Sequence, residues 1–294
     1  MSEAIPDKKH RRIGIFLKAL FTLAALTIII LKADLRQIWQ DLQLVSPSYI
    51  FIAFIFLNAG QIVSALRMRY YFMCEGLILS KKFSILFYLA GNFFNLILPG
   101  GIGGDGYKAY LMKKLKDFPV LKGVKLILSG RASGLLLLVL IALGLALFSK
   151  TITALPFAKP LIIAAFFANI VGYSILARFI LQEKIPTQIG AAGYSFFVQI
   201  LVLATAYFLF KGAGIGPGIG EYLLLFMISS IISVLPISMG GVGLRELTFF
   251  KGAPLFNLSP ELGIAIAIIY FFINSLSSLI GLLFINRLKY IIDK

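Results

Sequence analysis

The sequence predicts an all-α polytopic membrane protein with six full transmembrane helices and two re-entrant helical hairpins, arranged as an inverted-topology repeat. Three observations support this prediction: the hydropathy, a pair of matching glycine-rich breaks, and the distribution of lysine and arginine. Of the 294 residues, 60% are hydrophobic and 14% are charged, and the mean hydropathy is +0.96. Soluble domains are about 45–50% apolar and about 25% charged, so almost no residues are left for a soluble domain.

Six apolar runs are long enough to cross a membrane as helices. The first, residues 13–31, is too long for the core of a signal peptide and no cleavage site follows it, so we predict an uncleaved span. The other five are residues 48–66, 123–148, 160–181, 190–210 and 261–285.

Two further apolar runs, residues 83–98 and 221–235, are short for a span. About 16 residues at 1.5 Å each give about 24 Å, against a hydrocarbon core of about 30 Å. Both runs end in breaks that read Leu-Pro-x-x-x-Gly-Gly-x-Gly-apolar-basic, over residues 98–108 and 235–245. The gapless match indicates an internal repeat. We place repeat one at about residues 13–148 and repeat two at about residues 160–286, within one membrane domain.

Loop charges indicate how the broken segments run. If both crossed the membrane, lysine and arginine would be split almost evenly between the two sides, whereas most fall on the cytoplasmic side if each segment returns to its own side. The positive-inside rule therefore favours two re-entrant hairpins, the first entering from the cytoplasm and the second from outside, with both chain termini cytoplasmic. Such inverted repeats are typical of transporters, whose substrate site lies near the midplane where broken helices meet.

The second half-helix of each hairpin begins just after the glycines, so its free N–H groups and positive dipole end point toward the protein centre. These ends favour an anion, and the phosphate of a lipid headgroup is a natural ligand. The candidate backbone donors are the glycines of the two breaks: Gly100, Gly101, Gly103, Gly104, Gly240, Gly241 and Gly243. Alternatively, these glycines only allow the hairpins to pack tightly.

Charged side chains near the breaks complete the predicted site. Lys108 and Arg245 either add positive charge to it or reach back to their own surfaces. Asp105 is either the N-cap of its half-helix or a partner of Lys108, Arg131 or a cationic headgroup. Glu246 is either the corresponding acid of the second repeat or a group in external water. Arg131, inside its helix, is expected to face the interior and find a partner.

Several polar residues lie inside the apolar runs, and most are expected to form interhelical hydrogen bonds. These polar residues are Asn58, Gln61, Asn92, Asn95, Asn274 and the serines at 275, 277 and 278. Some of them could instead line a headgroup pathway, and we place Asn95 in the predicted site.

Rare residue types and missing motifs narrow the function. The single Cys74 excludes an intramolecular disulfide, and the single His10 lies in the basic N-terminal tail, so no metal site or cofactor is predicted. No P-loop, His-Glu-x-x-His or Gly-x-Ser-x-Gly pattern occurs, so we expect no enzyme. The net charge of +16 is explained by basic residues that face anionic lipid at the cytoplasmic surface, and no nucleic-acid partner is expected.

The twin breaks, Arg67-x-Arg69, and Arg131 followed by Gly134 resemble the lysylphosphatidylglycerol synthase transmembrane-region family. This family is the flippase-like membrane domain of the multiple-peptide-resistance-factor proteins and their stand-alone relatives. Its signatures resemble residues 98–105 followed by a basic residue, and residues 235–246 here; the resemblance covers nearly the whole chain. Lysine stands at position 108 where arginine is usual. The aminoacyltransferase domain of the full-length synthases is missing, so we expect a stand-alone member.

The resemblance and the residues together suggest a flippase-like transporter in the bacterial plasma membrane. Its substrate would be a phospholipid, an aminoacyl-phosphatidylglycerol or a polyprenyl-phosphate-linked lipid. The alternative is a membrane module that binds a lipid and presents it to a separate transferase. A third hypothesis is an intramembrane enzyme that uses Asp105 and Glu246 as acid and base. The partners these hypotheses allow are an anionic lipid, a separate lipid-modifying enzyme and a second copy of the chain.

Overall fold

The computed structural model describes residues 8–97, 103–234, 238 and 241–290, with side chains described for 20–96, 103–234, 238 and 241–282. Every regular element in this part of the chain is helical. The α-helices are α1 (Lys8–Lys32), α2 (Leu35–Leu44), α3 (Pro47–Cys74), α4 (Lys81–Ile97), α5 (Gly103–Lys116), α6 (Val120–Phe148), α7 (Lys150–Thr153), α8 (Ala158–Ile175), α9 (Ile185–Gly212), α10 (Ile219–Val234), α11 (Leu244–Gly252) and α12 (Pro260–Tyr290). A π-helical turn, Leu176–Ile180, extends α8, and a 3-10 turn, Ala253–Phe256, extends α11.

Five described helices are long and apolar enough to cross a membrane: α3, α6, α8 with its π turn, α9, and α12 over Pro260–Leu282. Large apolar side chains such as Phe51, Phe148 and Phe167 are exposed on them. Exposed apolar faces of this extent mark a protein surrounded by lipid, so the prediction of an all-α integral membrane protein is confirmed. The predicted span at residues 13–31 falls in α1, of which the apolar part Leu20–Lys32 is described.

One helix was not predicted, and one predicted boundary was wrong. The connection at residues 32–47 contains the amphipathic helix α2, which begins where the Asp34 carboxylate accepts hydrogen bonds from the backbone N–H groups of Arg36 and Gln37. Furthermore, α3 continues to Cys74, beyond the predicted end of the second span, and so carries Arg67 inside the helix. Because α3 stays helical past residue 66, the Arg67 guanidinium lies within the bundle, where it bonds Ser195, and not at the predicted membrane surface.

Contacts between helix ends define what we call the basic end of the molecule. Here the end of α3 meets the start of α6, where Lys122 Nζ lies 2.9 Å from Glu75 Oε2. The segment after α8 also reaches α6, because Lys125 Nζ donates to Gln182 Oε1 at 2.7 Å. The starts of α4 and α9 and the end of α5 follow closely along the chain from these contacts.

The opposite end of the molecule gathers the remaining helix ends. The Ser46 N–H donates to the Gly212 carbonyl at 3.0 Å, which joins the start of α3 to the end of α9. The Tyr222 hydroxyl donates to the Ser259 carbonyl at 3.0 Å, which joins the start of α10 to the start of α12.

Helices α4 and α5 form an antiparallel hairpin whose two open ends lie at the basic end. Gly104 at the start of α5 contacts Asn95 near the end of α4, whereas Lys116 at the end of α5 lies over the Phe83 ring near the start of α4. This hairpin packs against α3, α6 and α12. Residues 98–102, between the two helices, lie outside the described part of the chain.

Helices α10 and α11 form a second antiparallel hairpin, with its open ends at the opposite end of the molecule. Arg245 at the start of α11 bonds Ser229, whereas Gly252 at its end faces Leu225, nearer the start of α10. This hairpin packs against α6, α9 and α12. The two hairpins are linked through the central pair α3 and α9, which run along each other.

Candidate functional site

A carboxylate and two cations meet where the first hairpin packs on α6. Asp105 lies in the first turn of α5, and its Oδ2 accepts a hydrogen bond from Arg131 Nε of α6. Lys108 Nζ, one turn further along α5, lies 3.3 Å from Asp105 Oδ1. Asp105 is only 8% exposed and Lys108 only 3%. Of the two predicted roles for Asp105, the structure supports the ion pair, because its described bonds go to side chains and not to the helix N–H groups.

Lys108 does not reach back to the surface. Its ammonium lies 4.4 Å from the centroid of the Tyr88 ring, a distance at which a cation is attracted to the ring face. Its aliphatic chain fills the space above Gly91, where a Cβ would lie only 2.0 Å from Lys108 Cε. Lys108 is therefore held inside the hairpin with its charge directed at Asp105.

Asn95 and Gly104 hold the two helices of the first hairpin together. Asn95 Oδ1 accepts a hydrogen bond from the Gly104 N–H at 2.9 Å. This N–H was predicted to donate to a headgroup, but in the structure it donates to Asn95 instead. A Cβ at residue 104 would lie 1.9 Å from the Gly91 carbonyl oxygen, so this glycine permits backbone contact. Gly103 is the first residue of α5, and Gly100 and Gly101 lie outside the described residues.

A cavity of about 150 Å³ adjoins this cluster, and we call it the Asp105 cavity. Its charged and polar wall consists of Ser64, Arg67, Tyr88, Asn92, Asn95, Asp105, Lys108 and Arg131. One carboxylate against three basic side chains leaves an excess of positive charge. Two amides and two hydroxyls add neutral hydrogen-bonding groups. Such a wall is suited to a phosphate.

Arg67 is the charged wall residue that the sequence did not predict, and the polar residues Ser64 and Tyr88 were not predicted either. Arg67 Nη1 donates to Ser195 Oγ of α9 at 2.8 Å, and its guanidinium lies where a Cβ on Gly134 would come within 3.1 Å. The neighbouring Arg69 turns elsewhere, because its Nε donates to the Leu79 carbonyl. An arginine inside an apolar helix would have indicated an interior position, but the second span was predicted to end at residue 66, which placed Arg67 at the membrane surface.

Arg245 anchors the second hairpin in a different way. Its Nη1 donates to the hydroxyls of Ser229 and Ser230 at 3.1 and 2.9 Å. Its guanidinium carbon lies 4.6 Å from the ring centroids of both Phe226 and Tyr270. A second cavity of about 150 Å³, which we call the Arg245 cavity, opens beside it. Arg245 thus faces the protein interior, like Lys108 in the first hairpin.

Glu246 caps α11. It is 6% exposed, and its Oε2 accepts a hydrogen bond from the Gly243 N–H at 2.8 Å. Hence the predicted alternative of a group in external water was wrong. Gly243 and Gly241 have φ angles of +84° and +82°, a region that only glycine enters without strain. Gly240 lies outside the described residues.

Polar side chains of α4, α3 and α12 are spaced between the two cavities, as two hydrogen-bonded pairs and one further residue. Asn92, in the wall of the Asp105 cavity, donates to Gln61 Oε1 at 3.3 Å. One turn away on α3, Asn58 Oδ1 accepts from the Ser277 hydroxyl at 2.7 Å. Asn274, one turn from Ser277 on α12, lines the Arg245 cavity. We call these five residues the polar bridge.

The fold and the site thus define an all-α integral membrane protein with a buried basic pocket on a helical hairpin. The sequence model of the family described as "Lysylphosphatidylglycerol synthase TM region" matches residues 15–281. The chain belongs to this family, which confirms the predicted resemblance and indicates a role connected with membrane lipids. No match to the chain is found among curated proteins.

Proposed function

We propose that the protein is a flippase-like transporter that moves a phosphate-bearing lipid between the leaflets of a bacterial plasma membrane. The polar bridge is the observation that carries this proposal. A lipid headgroup cannot cross hydrocarbon without polar partners, and the bridge supplies such partners between the two cavities. The acyl chains would stay in the bilayer beside the exposed apolar helix faces while the headgroup moves.

We further propose the membrane topology of six spans and two re-entrant hairpins in an inverted repeat. Its support is the exchange of contacts between the halves: α4 of the first hairpin packs on α12, and α10 of the second packs on α6. The hairpins also open at opposite ends of the molecule. The positive-inside rule assigns the basic end to the cytoplasm, because lysines are concentrated in the helix ends there: Lys81, Lys82, Lys113, Lys114, Lys116, Lys122 and Lys125.

The Asp105 cavity would bind the headgroup phosphate through charge. Arg67, Lys108 and Arg131 each offer a charge-assisted hydrogen bond, worth about 1.5–3 kcal/mol. Asp105 holds two of these cations in place when no phosphate is bound, and it competes with the phosphate when one is. This competition keeps binding reversible, as a transporter requires.

We propose that no bond of the lipid is made or broken. Asp105 and Glu246 are the carboxylates that an intramembrane enzyme would use, but they line different cavities. Asp105 is engaged by cations and Glu246 by the cap of α11. A general acid and base must both reach the reacting atoms, and these two do not share a site.

Transfer of fluorescent phosphatidylglycerol between leaflets of proteoliposomes tests the proposal. Asp105→Asn removes the counter-ion of the buried Lys108 and one ion-pair partner of Arg131, whose side chain is 36% exposed. Breaking a fully buried pair costs about 3–5 kcal/mol and the exposure of Arg131 reduces its share, so we expect a loss of transfer of at least about tenfold. The matched control is Asp117→Asn, which removes an exposed partner of Lys113 and should leave the rate unchanged.

Two results would contradict this reading. Equal transfer by wild type and the Asp105 variant would remove the site assignment. Wild-type protein that retains lipid but transfers none would instead favour the module that presents a lipid to a separate enzyme.

A further inference from the structure

A third cavity, of about 410 Å³, lies at the basic end between the ends of α3 and α8 and the starts of α6 and α9. We call it the Glu183 cavity, after the residue in the short link between α8 and α9. The link is fixed by its backbone: the Glu183 N–H donates to the Ala177 carbonyl at 2.8 Å, and its carbonyl accepts from Gln188 Nε2 at 3.3 Å. Glu183 is 6% exposed.

The Glu183 carboxyl group is buried without a hydrogen-bond partner among the described residues. Both of its oxygens are enclosed, and so are the Ser129 and Tyr173 hydroxyl oxygens, which also lack partners there. An ionised carboxylate buried in this way carries a penalty of several kcal/mol. The enclosed oxygens leave no room for an organic ammonium, whereas a proton adds no volume and has a route to the carboxyl group from the Glu183 cavity, which this residue lines.

We propose that Glu183 is a proton-binding site loaded from the basic end, and that its protonation strengthens anion binding in the Asp105 cavity. The second half of this proposal rests on the proposed function. Protonation removes one negative charge from the basic end of the bundle, which favours an anion nearby. It also turns the carboxyl group into a hydrogen-bond donor for the neighbouring Ser129 hydroxyl.

Helix α6 lies between Glu183 and the Asp105 cavity, and hydrogen bonds fix this helix on both sides of the turn from Ser129 to Ser133. The Tyr71 hydroxyl donates to the Ser129 carbonyl at 3.1 Å, and Ser129 precedes Arg131 by two residues on α6. One turn along α6, Ser133 Oγ accepts from the Ser195 hydroxyl at 3.1 Å. Ser195 in turn accepts from Arg67, which lines the Asp105 cavity. Ser129 therefore lies on the same turn of α6 as Arg131, and one turn from the Ser133 hydroxyl that bonds the Ser195 partner of Arg67.

The surroundings of Glu183 determine where it titrates. Burial raises the pKa of Glu183 above its ordinary value, while the Ser129 hydroxyl and the Lys125 ammonium lower it, in that order of size. The other titratable groups that face it or line the cavity are Tyr71, Cys74, Glu75, Lys122, Tyr173 and Lys184. Glu75 is paired with Lys122, and Lys125 is the cation whose charge acts on Glu183.

Infrared titration of the purified protein tests the proton site. The carbonyl stretch of a protonated carboxyl should persist well above the ordinary glutamate value of about pH 4.3 and should disappear in Glu183→Gln. Ser129→Ala should raise the midpoint further, because it removes a group that lowers the pKa. A band that titrates at the ordinary value, or that survives in Glu183→Gln, would overturn the proposal.

Binding of a short-chain phosphatidylglycerol tests the coupling. Wild-type affinity should rise by about fivefold or more from a pH above the infrared midpoint of Glu183 to a pH below it. Glu183→Gln should hold the low-pH affinity at both values, and Glu75→Gln, in the same cavity, should behave as wild type. A wild-type pH response retained in Glu183→Gln would overturn the coupling. No lipid binding at either pH would overturn the proposed function and the coupling together, while the infrared band would still decide the proton site.

Discussion

Replacing Gly104 with alanine tests how closely the first hairpin must pack. An ideal Cβ at this position would lie 1.9 Å from the Gly91 carbonyl oxygen and 2.7 Å from the Asn95 backbone nitrogen. A carbon–oxygen contact needs about 3.3 Å, so the two helices must separate by about 1.4 Å locally. Both obstructing atoms belong to the backbone, and neither can rotate away.

This separation would disturb the site directly. It would break the 2.9 Å hydrogen bond from the Gly104 N–H to Asn95 and would shift Asp105, the next residue, against Arg131. Overpacking costs about 1–3 kcal/mol and a lost hydrogen bond about 1 kcal/mol. The expected destabilisation of about 2–4 kcal/mol corresponds to a fall of about 5 °C or more in the unfolding midpoint of a chain of this size.

Gly106→Ala is the matched control, because a Cβ there meets nothing within 4 Å. Alanine in place of an exposed helical glycine stabilises by about 0.5–1 kcal/mol, so this variant should unfold at or above the wild-type temperature. Thermal unfolding in detergent and lipid transfer in proteoliposomes would be measured for both variants. Equal stability of the two would refute the close packing inferred for residue 104.

Two further predictions concern orientation and pathway. Cys74 is the one cysteine of the chain and is exposed at the basic end, so a membrane-impermeant maleimide should label it in inverted vesicles but not in intact cells. A cysteine introduced at Lys211 in a Cys74→Ser background should show the reverse, and labelling of wild type in intact cells would contradict the orientation. Asn58→Leu interrupts the polar bridge and should slow lipid transfer without weakening lipid binding. Asn169→Leu, which removes an interhelical bond to the Leu136 carbonyl away from both cavities, should not slow transfer, and equal effects of the two would contradict the pathway.

The parts of the fold that depend on local chemistry could be predicted from the sequence. Proline and glycine end a helix wherever they occur in this pattern, so the breaks at residues 98–108 and 235–245 indicated where α4 and α10 stop. The family resemblance rested on the same residues. Helix α2 was missed although its signals are local too: Asp34 stands at an N-cap position, and apolar residues follow at helical spacing.

The composition of the site depended on tertiary contacts that no local pattern contains. Arg67 reaches the Asp105 cavity only because α3 packs beside α4, α6 and α9. The two roles open for Lys108 differed only in which way the side chain turns, and that is decided by Tyr88 and by the space above Gly91. Two roles were also open for Glu246, and they differed in where its carboxylate turns: it turns back to its own helix and accepts a hydrogen bond from the Gly243 N–H.

The two hairpins are unlike in charge, and this difference bears on direction of transport. Val242 stands at the position in the second break that Asp105 occupies in the first, and among the described residues no carboxylate oxygen lies within salt-bridge distance of Arg245. The proposed headgroup would therefore meet a carboxylate that is paired with cations in the Asp105 cavity. In the Arg245 cavity it would meet a guanidinium that bonds serine hydroxyls, while the Glu246 carboxylate there caps α11. Unequal binding at two points of one cycle changes the rates of loading and release, but it cannot by itself accumulate lipid in one leaflet. Net direction requires a second gradient linked to the same cycle. A proton bound at Glu183, on the basic side of the Asp105 cavity, would provide that link.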